Sequence, residues 1–78
     1  MDTKKATAKA TTIFNAKPNG REKGYMESIY WGVNKPYAYL ADCKKAGIVI
    51  NKMKVSPGGA FYYITKAECI KLIKWLNT

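Results

Sequence analysis

Six residues in two short runs have the chemistry to hold a polyanion: Lys35, Tyr37, Lys44 and Lys45 in KPYAYLADCKK, and Lys52 and Lys54 in NKMK. Ammonium groups neutralise phosphates and release their condensed counterions, so binding of this kind weakens steeply as salt rises. An exposed aromatic ring such as that of Tyr37 offers a face on which a base can stack. The whole chain leans the same way, with 14 Lys+Arg against 5 Asp+Glu for a net charge of +9. The competing account is that the lysines, spread along the chain, are ordinary solvated surface and the aromatics are core. Catalytic chemistry finds little to work with. There is no histidine, and Asp2, Glu22, Glu27, Asp42 and Glu68 show no motif that pairs them for acid–base work. Pro57-Gly58-Gly59 is not a phosphate loop, because its glycines lie between two strand-like runs and do not lead into a helix. Cys43 and Cys69 form neither a CxxC motif nor a set of zinc ligands. The expectation is a protein that is not an enzyme and uses no metal or cofactor.

These residues must be carried by something folded. With 47% hydrophobic residues, 78 residues suffice for one small globule but not for several domains. In residues 3 to 16, Ala6, Ala10, Ile13 and Phe14 recur at helical spacing. Lys4, Lys5 and Lys9 are then either the wet face of this helix or, with the rest of residues 1–10, a flexible basic arm. Lys17-Pro18-Asn19-Gly20 ends the helix in a turn. Tyr25 to Val33 fits a helix through Met26, Ile29 and Tyr30, and fits a strand through Ile29, Trp31 and Val33; the helix is preferred. Asn34 as cap and Pro36 in the first turn open a helix from Pro36 to Ala46, with Gly47 at its C′ position. IVINKMKV and AFYYI around Ser56-Pro57-Gly58-Gly59 make a β-hairpin. Thr65 and Glu68 form a capping box for a last helix with Cys69, Ile70, Leu72, Ile73 and Leu76 on a wide apolar face. The fold class is α+β: three helices, a two-stranded hairpin and a C-terminal helix.

From Ala38 the run AYLADCKKAGIV, with Leu40, Cys43, Ala46, Gly47, Ile48 and Val49, resembles the second half of the recognition helix of winged helix-turn-helix proteins. NKMKVSPGGAFYYIT resembles their wing, basic on the outgoing strand and aromatic on the return. The resemblance covers about residues 25 to 76. It implies duplex DNA as the partner and a role in transcription regulation, with Lys35, Tyr37, Lys44 and Lys45 near the groove and Lys52 and Lys54 on the wing against phosphate. The 4, 3, 4 spacing of Pro36, Leu40, Cys43 and Gly47 predicts the stripe of that helix that packs inward. Ala38, Ala41, Asp42 and Lys45 would then face out. Of these only Lys45 donates well to base edges, and Asp42 repels phosphate.

That outward stripe and the surplus of aromatics leave room for a different class of function, a protein-binding inhibitor or adaptor of phage type. A lesser alternative makes residues 25 to 33 a strand and carries single-stranded nucleic acid on exposed aromatics. The wide apolar face of the last helix, with Trp75 at its edge, suggests a homodimer. Buried free thiols are favoured over a disulfide, which matches a reducing cytoplasm. No apolar run is long enough for a membrane span, and no secretory signal is expected.

Overall fold

The computed structural model describes residues 3–31, 33, 38–50, 52–56 and 59–77, with only the backbone at 52 and 56. The chain is α+β, in the order α1 (Thr3–Phe14), a 3-10 turn (Pro18–Gly20), α2 (Met26–Tyr30), α3 (Tyr39–Lys45), β1 (Lys52–Ser56), β2 (Gly59–Tyr63) and α4 (Lys66–Leu76). Among the described residues four α-helices thus accompany one antiparallel hairpin.

Helix α1 is rich in Ala and Lys, which lose little freedom in a helix, and its threonines are accommodated by bonding back to the preceding turn. Thr7 Oγ1 donates to Thr3 O at 2.7 Å and Thr11 Oγ1 to Thr7 O at 2.8 Å. The stripe Ala6, Ala10 and Ile13 is buried against α4, whose Cys69, Leu72, Ile73 and Leu76 are buried in turn. Two alanines at the contact bring the backbones close, and Cys69 Sγ approaches Ala10 O to 3.7 Å. Helix α4 opens with the expected capping box: Thr65 Oγ1 accepts from Glu68 N, and Glu68 Oε1 accepts from Thr65 N at 3.0 Å.

Two expectations change here. Residues 3–10 are part of a packed helix and not an arm, because Ala6 and Ala10 lose all exposure in the core; Met1 and Asp2 lie outside the described residues. The apolar face of α4 is covered by α1 of the same chain, and Trp75 is half-buried against the same cluster, so the face that suggested a dimer is already occupied.

The segment from 15 to 25 turns through Asn19 and Gly20, both at positive φ, as the Asn-Gly pair predicts. It then crosses the molecule at Gly24, whose N–H donates to Phe14 O at 3.1 Å and whose carbonyl accepts from Ile64 N at 3.1 Å. One residue therefore joins the end of α1 to the end of the hairpin. Tyr25 forms a single antiparallel bridge with Tyr63, and the chain becomes helical at Met26. The helix preferred for residues 25 to 33 is thus present but only five residues long, and it buries Met26, Ile29 and Tyr30.

The hairpin pairs Lys52 with Tyr63, Met53 with Tyr62, Lys54 with Phe61, Val55 with Ala60 and Ser56 with Gly59. Pro57 and Gly58 at its tip lie outside the described residues. Since side chains alternate, Lys54, Phe61 and Tyr63 share one face, and Met53, Val55, Ala60 and Tyr62 the other.

Gly24 has φ +81°, and a Cβ there would stand 2.4 Å from Ile64 O and 2.8 Å from the Phe14 ring; Gly20 has φ +74° but open space around it. We expect Gly24→Ala to cost more than about 3 kcal/mol and Gly20→Ala only about 1 kcal/mol, from backbone strain alone. Urea unfolding of the two variants checks this, and equal losses would show that the crossing is not sterically constrained.

Candidate nucleic-acid interface

Helix α3 begins at Tyr39, with Ala38 as N-cap and no side-chain cap. Ala38 is not helical, with φ −150° and ψ 50°, so the helix does not run unbroken through it from Pro36 as expected; Asn34 and Pro36 lie outside the described residues. At the other end the expectation holds in detail. Gly47 has φ +75°, its N–H donates to Lys44 O, and Ile48 N donates to Cys43 O at 2.8 Å. These two bonds form a Schellman motif, with Ile48 and Cys43 making the accompanying apolar contact in the core.

Between these ends the helix is rotated from the orientation that apolarity alone suggests. Asp42 and Cys43 are buried, and Tyr39 and Ala46 pack on the core, a stripe at i, i+3, i+4, i+7. Leu40, expected inside, is 54% exposed; Asp42, expected outside, is 9% exposed. The reason is a partner twelve residues earlier. Tyr30 Oη donates to Asp42 Oδ2 at 2.5 Å, and the Tyr30 ring meets Tyr39 edge-on with centroids 5.0 Å apart. A carboxylate with a buried hydroxyl donor can go inside, whereas an unpaired one cannot. The outward face is therefore Leu40, Ala41, Lys44 and Lys45, all exposed.

Burial, helped by the bond to Asp42, holds the Tyr30 hydroxyl well above the ordinary tyrosine range. Burial likewise pushes the Cys43 thiol up to about 11, with Asp42 and Glu68 adding to it, and the Cys69 thiol up to about 12. Both cysteines are free and buried, as expected. They are protonated near neutrality and are structural rather than nucleophilic.

Of the six candidate residues, the structure brings Lys44 and Lys45 together in the last turn of α3, where they also suit the negative end of the helix dipole. Lys71, which the sequence does not single out, joins them: its Nζ donates to Gly47 O at 3.4 Å. Nothing in the sequence links position 71 to position 47, so only the fold reveals this third cation. Lys54 is elsewhere engaged, in an ion pair with Glu22. Arg21 lies over the Phe61 ring, 3.7 Å from its centroid, so Arg21 and Glu22 grip the same face of the hairpin. Lys52 stands opposite Tyr63 by register, and only its backbone is described. Lys35 and Tyr37 also lie outside the described residues.

The chain matches no family model, no curated protein and no solved structure. Among the described residues no three cysteine or carboxylate side chains gather as a metal site would need, and no helix is long and apolar enough to cross a membrane. What the surface offers is a corner of lysines at the C-terminal end of α3.

Tyr30→Phe keeps the ring but leaves the Asp42 carboxylate buried without its donor, and we expect a loss of about 1.5–3 kcal/mol at pH 7. Asp42→Asn, which keeps an acceptor for Tyr30, is expected to lose less. In the wild type, stability should be level through neutrality and fall as pH rises past about 9. There the unfolded chain's thiols ionise first and its tyrosines next, while the raised Cys43, Cys69 and Tyr30 of the folded chain keep their protons. Urea melts from pH 7 to 11 measure both effects; a Tyr30→Phe variant as stable as wild type would show that the bond does not orient α3.

Proposed function

We propose that this chain is a small basic DNA-binding domain of winged-helix type, which holds duplex DNA against α3 and the hairpin and serves as a transcription regulator. The observation that carries this reading is the burial of Asp42 under Tyr30. It removes the one phosphate-repelling group from the face of α3 and leaves Lys44 and Lys45 on an outward stripe of otherwise neutral residues. Lys71 at Gly47 adds a third cation at the corner where the chain turns toward the hairpin. The hairpin supplies Lys54, with Lys52 two residues earlier on the same strand. The pair of Lys54 with Glu22 is half-exposed on both sides; such a pair is worth at most about 1 kcal/mol, so a phosphate competes for Lys54 readily.

Base reading is not what this surface favours. Leu40 and Ala41 can touch thymine methyls, but the exposed face of α3 has none of the Arg, Asn or Gln side chains that grip a purine edge with two bonds. Contacts to phosphate dominate, and sequence preference is weak.

The experiment is titration of a labelled duplex at two salt concentrations. Neutralising both α3 lysines in Lys44→Gln/Lys45→Gln should weaken binding and lower the slope of log K against log salt by about 1.8, some 0.9 for each phosphate that no longer has its lysine. An unchanged slope with intact helicity would remove α3 from the interface. Lys52→Gln/Lys54→Gln tests the wing in the same way. Glutamine is preferable to glutamate there, since a glutamate at 54 would face Glu22.

A second reading, a protein-binding inhibitor or adaptor on the same fold, is favoured by the exposure of Leu40, Val49, Met53 and Val55. Recovery of partners from a lysate treated with nuclease separates the two: material lost with the nucleic acid belongs to the DNA binder, and a single protein retained without it belongs to the adaptor.

A further inference from the structure

We propose that a groove between α1 and the residue that follows α2 takes one unpaired nucleobase of a single strand, stacked on Trp31 with its phosphate at Lys9. This goes beyond duplex binding and uses none of the residues of the α3 corner. Trp31 is 65% exposed although its neighbour Tyr30 is buried, and its N–H donates to Glu27 O at 3.0 Å. That bond and the burial of Tyr30 anchor the Trp31 backbone, and the large indole stays at the surface. Across from it α1 contributes Lys9, Thr12 and Ile13, and the four residues line an open groove of about 430 Å³. That volume falls within the range of small-ligand sites, about 300–1,000 Å³.

The chemistry of the lining selects the occupant. The indole presents a flat aromatic face, Ile13 an apolar wall, and Lys9 a cation on the next turn of the same helix. A guest must therefore be planar and carry an anion a short distance from its ring. Among the described residues no carboxylate lines the groove to repel that anion, and the +9 charge of the chain draws polyanions toward it. A stacked base with its phosphate meets each condition, whereas a paired base in a duplex presents no free face. The expected stacking residue, Tyr37, lies outside the described residues; among those described, Trp31 is the exposed aromatic.

The test is titration of the full chain with a twelve-residue oligothymidylate, followed by tryptophan emission and by anisotropy of a labelled strand. The half-buried Trp75 serves as the internal reference. We expect quenching of Trp31, binding about five- to a hundredfold weaker in Trp31→Ala, near-normal binding in Trp31→Phe, and a salt slope about 0.7 smaller in Lys9→Gln. Lys44→Gln/Lys45→Gln should keep the quenching, which separates this site from the duplex surface. The proposal is overturned if Trp31→Ala binds the strand as tightly as wild type, which would leave diffuse charge alone. It is equally overturned if Trp31 emission changes with protein concentration in the absence of oligonucleotide, since a second copy would then cover the groove.

Discussion

The hydrogen bond from Tyr30 to Asp42 decides which way the third helix faces, and the character of the surface follows from it. A helix of seven residues with no side-chain cap has little stability of its own and takes its orientation from tertiary contacts. Here the contact is polar: a carboxylate is drawn inside because a tyrosine from α2 is already buried and holds out a donor. Rotation about the helix axis is then fixed, since Asp42 and Cys43 point in and Lys44 and Lys45 must point out. Buried polar pairs of this kind contribute little net free energy, but losing one member is costly, so they specify an arrangement more than they stabilise it.

Negative charge is used locally elsewhere in the molecule as well. Glu22 pairs with Lys54, Glu27 accepts from the Tyr25 hydroxyl, Asp42 from Tyr30, and Glu68 from the Thr65 backbone. The described carboxylates thus fix loops, helix starts and helix orientation. Arg21 is likewise held over the Phe61 ring, near Tyr25, where it braces the root of the hairpin against the loop before α2. The excess of lysines over carboxylates sets the field around the molecule.

Signals in the sequence are legible where local physics decides the outcome. The hairpin, the Asn-Gly turn, the Thr65–Glu68 capping box and the glycine after α3 each depend on a few adjacent residues, and each is found, although the outgoing strand begins at Lys52 and Ile48 to Ile50, expected in it, are not strand. The face of α3 is not legible in this way, because it depends on Tyr30, a distant residue whose hydroxyl reverses the usual ranking of Leu over Asp for the interior. Gly24 reads as an ordinary loop glycine for the same reason: the carbonyl of Ile64 that forbids a side chain there is forty residues away in sequence. Lys71 reaches the candidate interface only through the packing that brings α4 beneath Gly47. The face of α4 looks unpartnered in sequence because the alanines of α1 are too small to advertise themselves as its cover.

That last pairing has a bearing on how the chain acquires its structure during synthesis. Ala6 and Ala10 are buried where α1 packs on α4, whose Cys69, Leu72, Ile73 and Leu76 are buried in turn, and Thr3 accepts a hydrogen bond of 3.2 Å from Lys74. A nascent chain therefore carries α1 without its α4 partner until residues 69 to 76 have left the ribosome. Long-range packing of this kind delays cooperative folding of α1 until α4 is there to receive it. Until then Ile13, on the inner stripe of α1, lacks the α4 surface that α1 packs on in the folded chain.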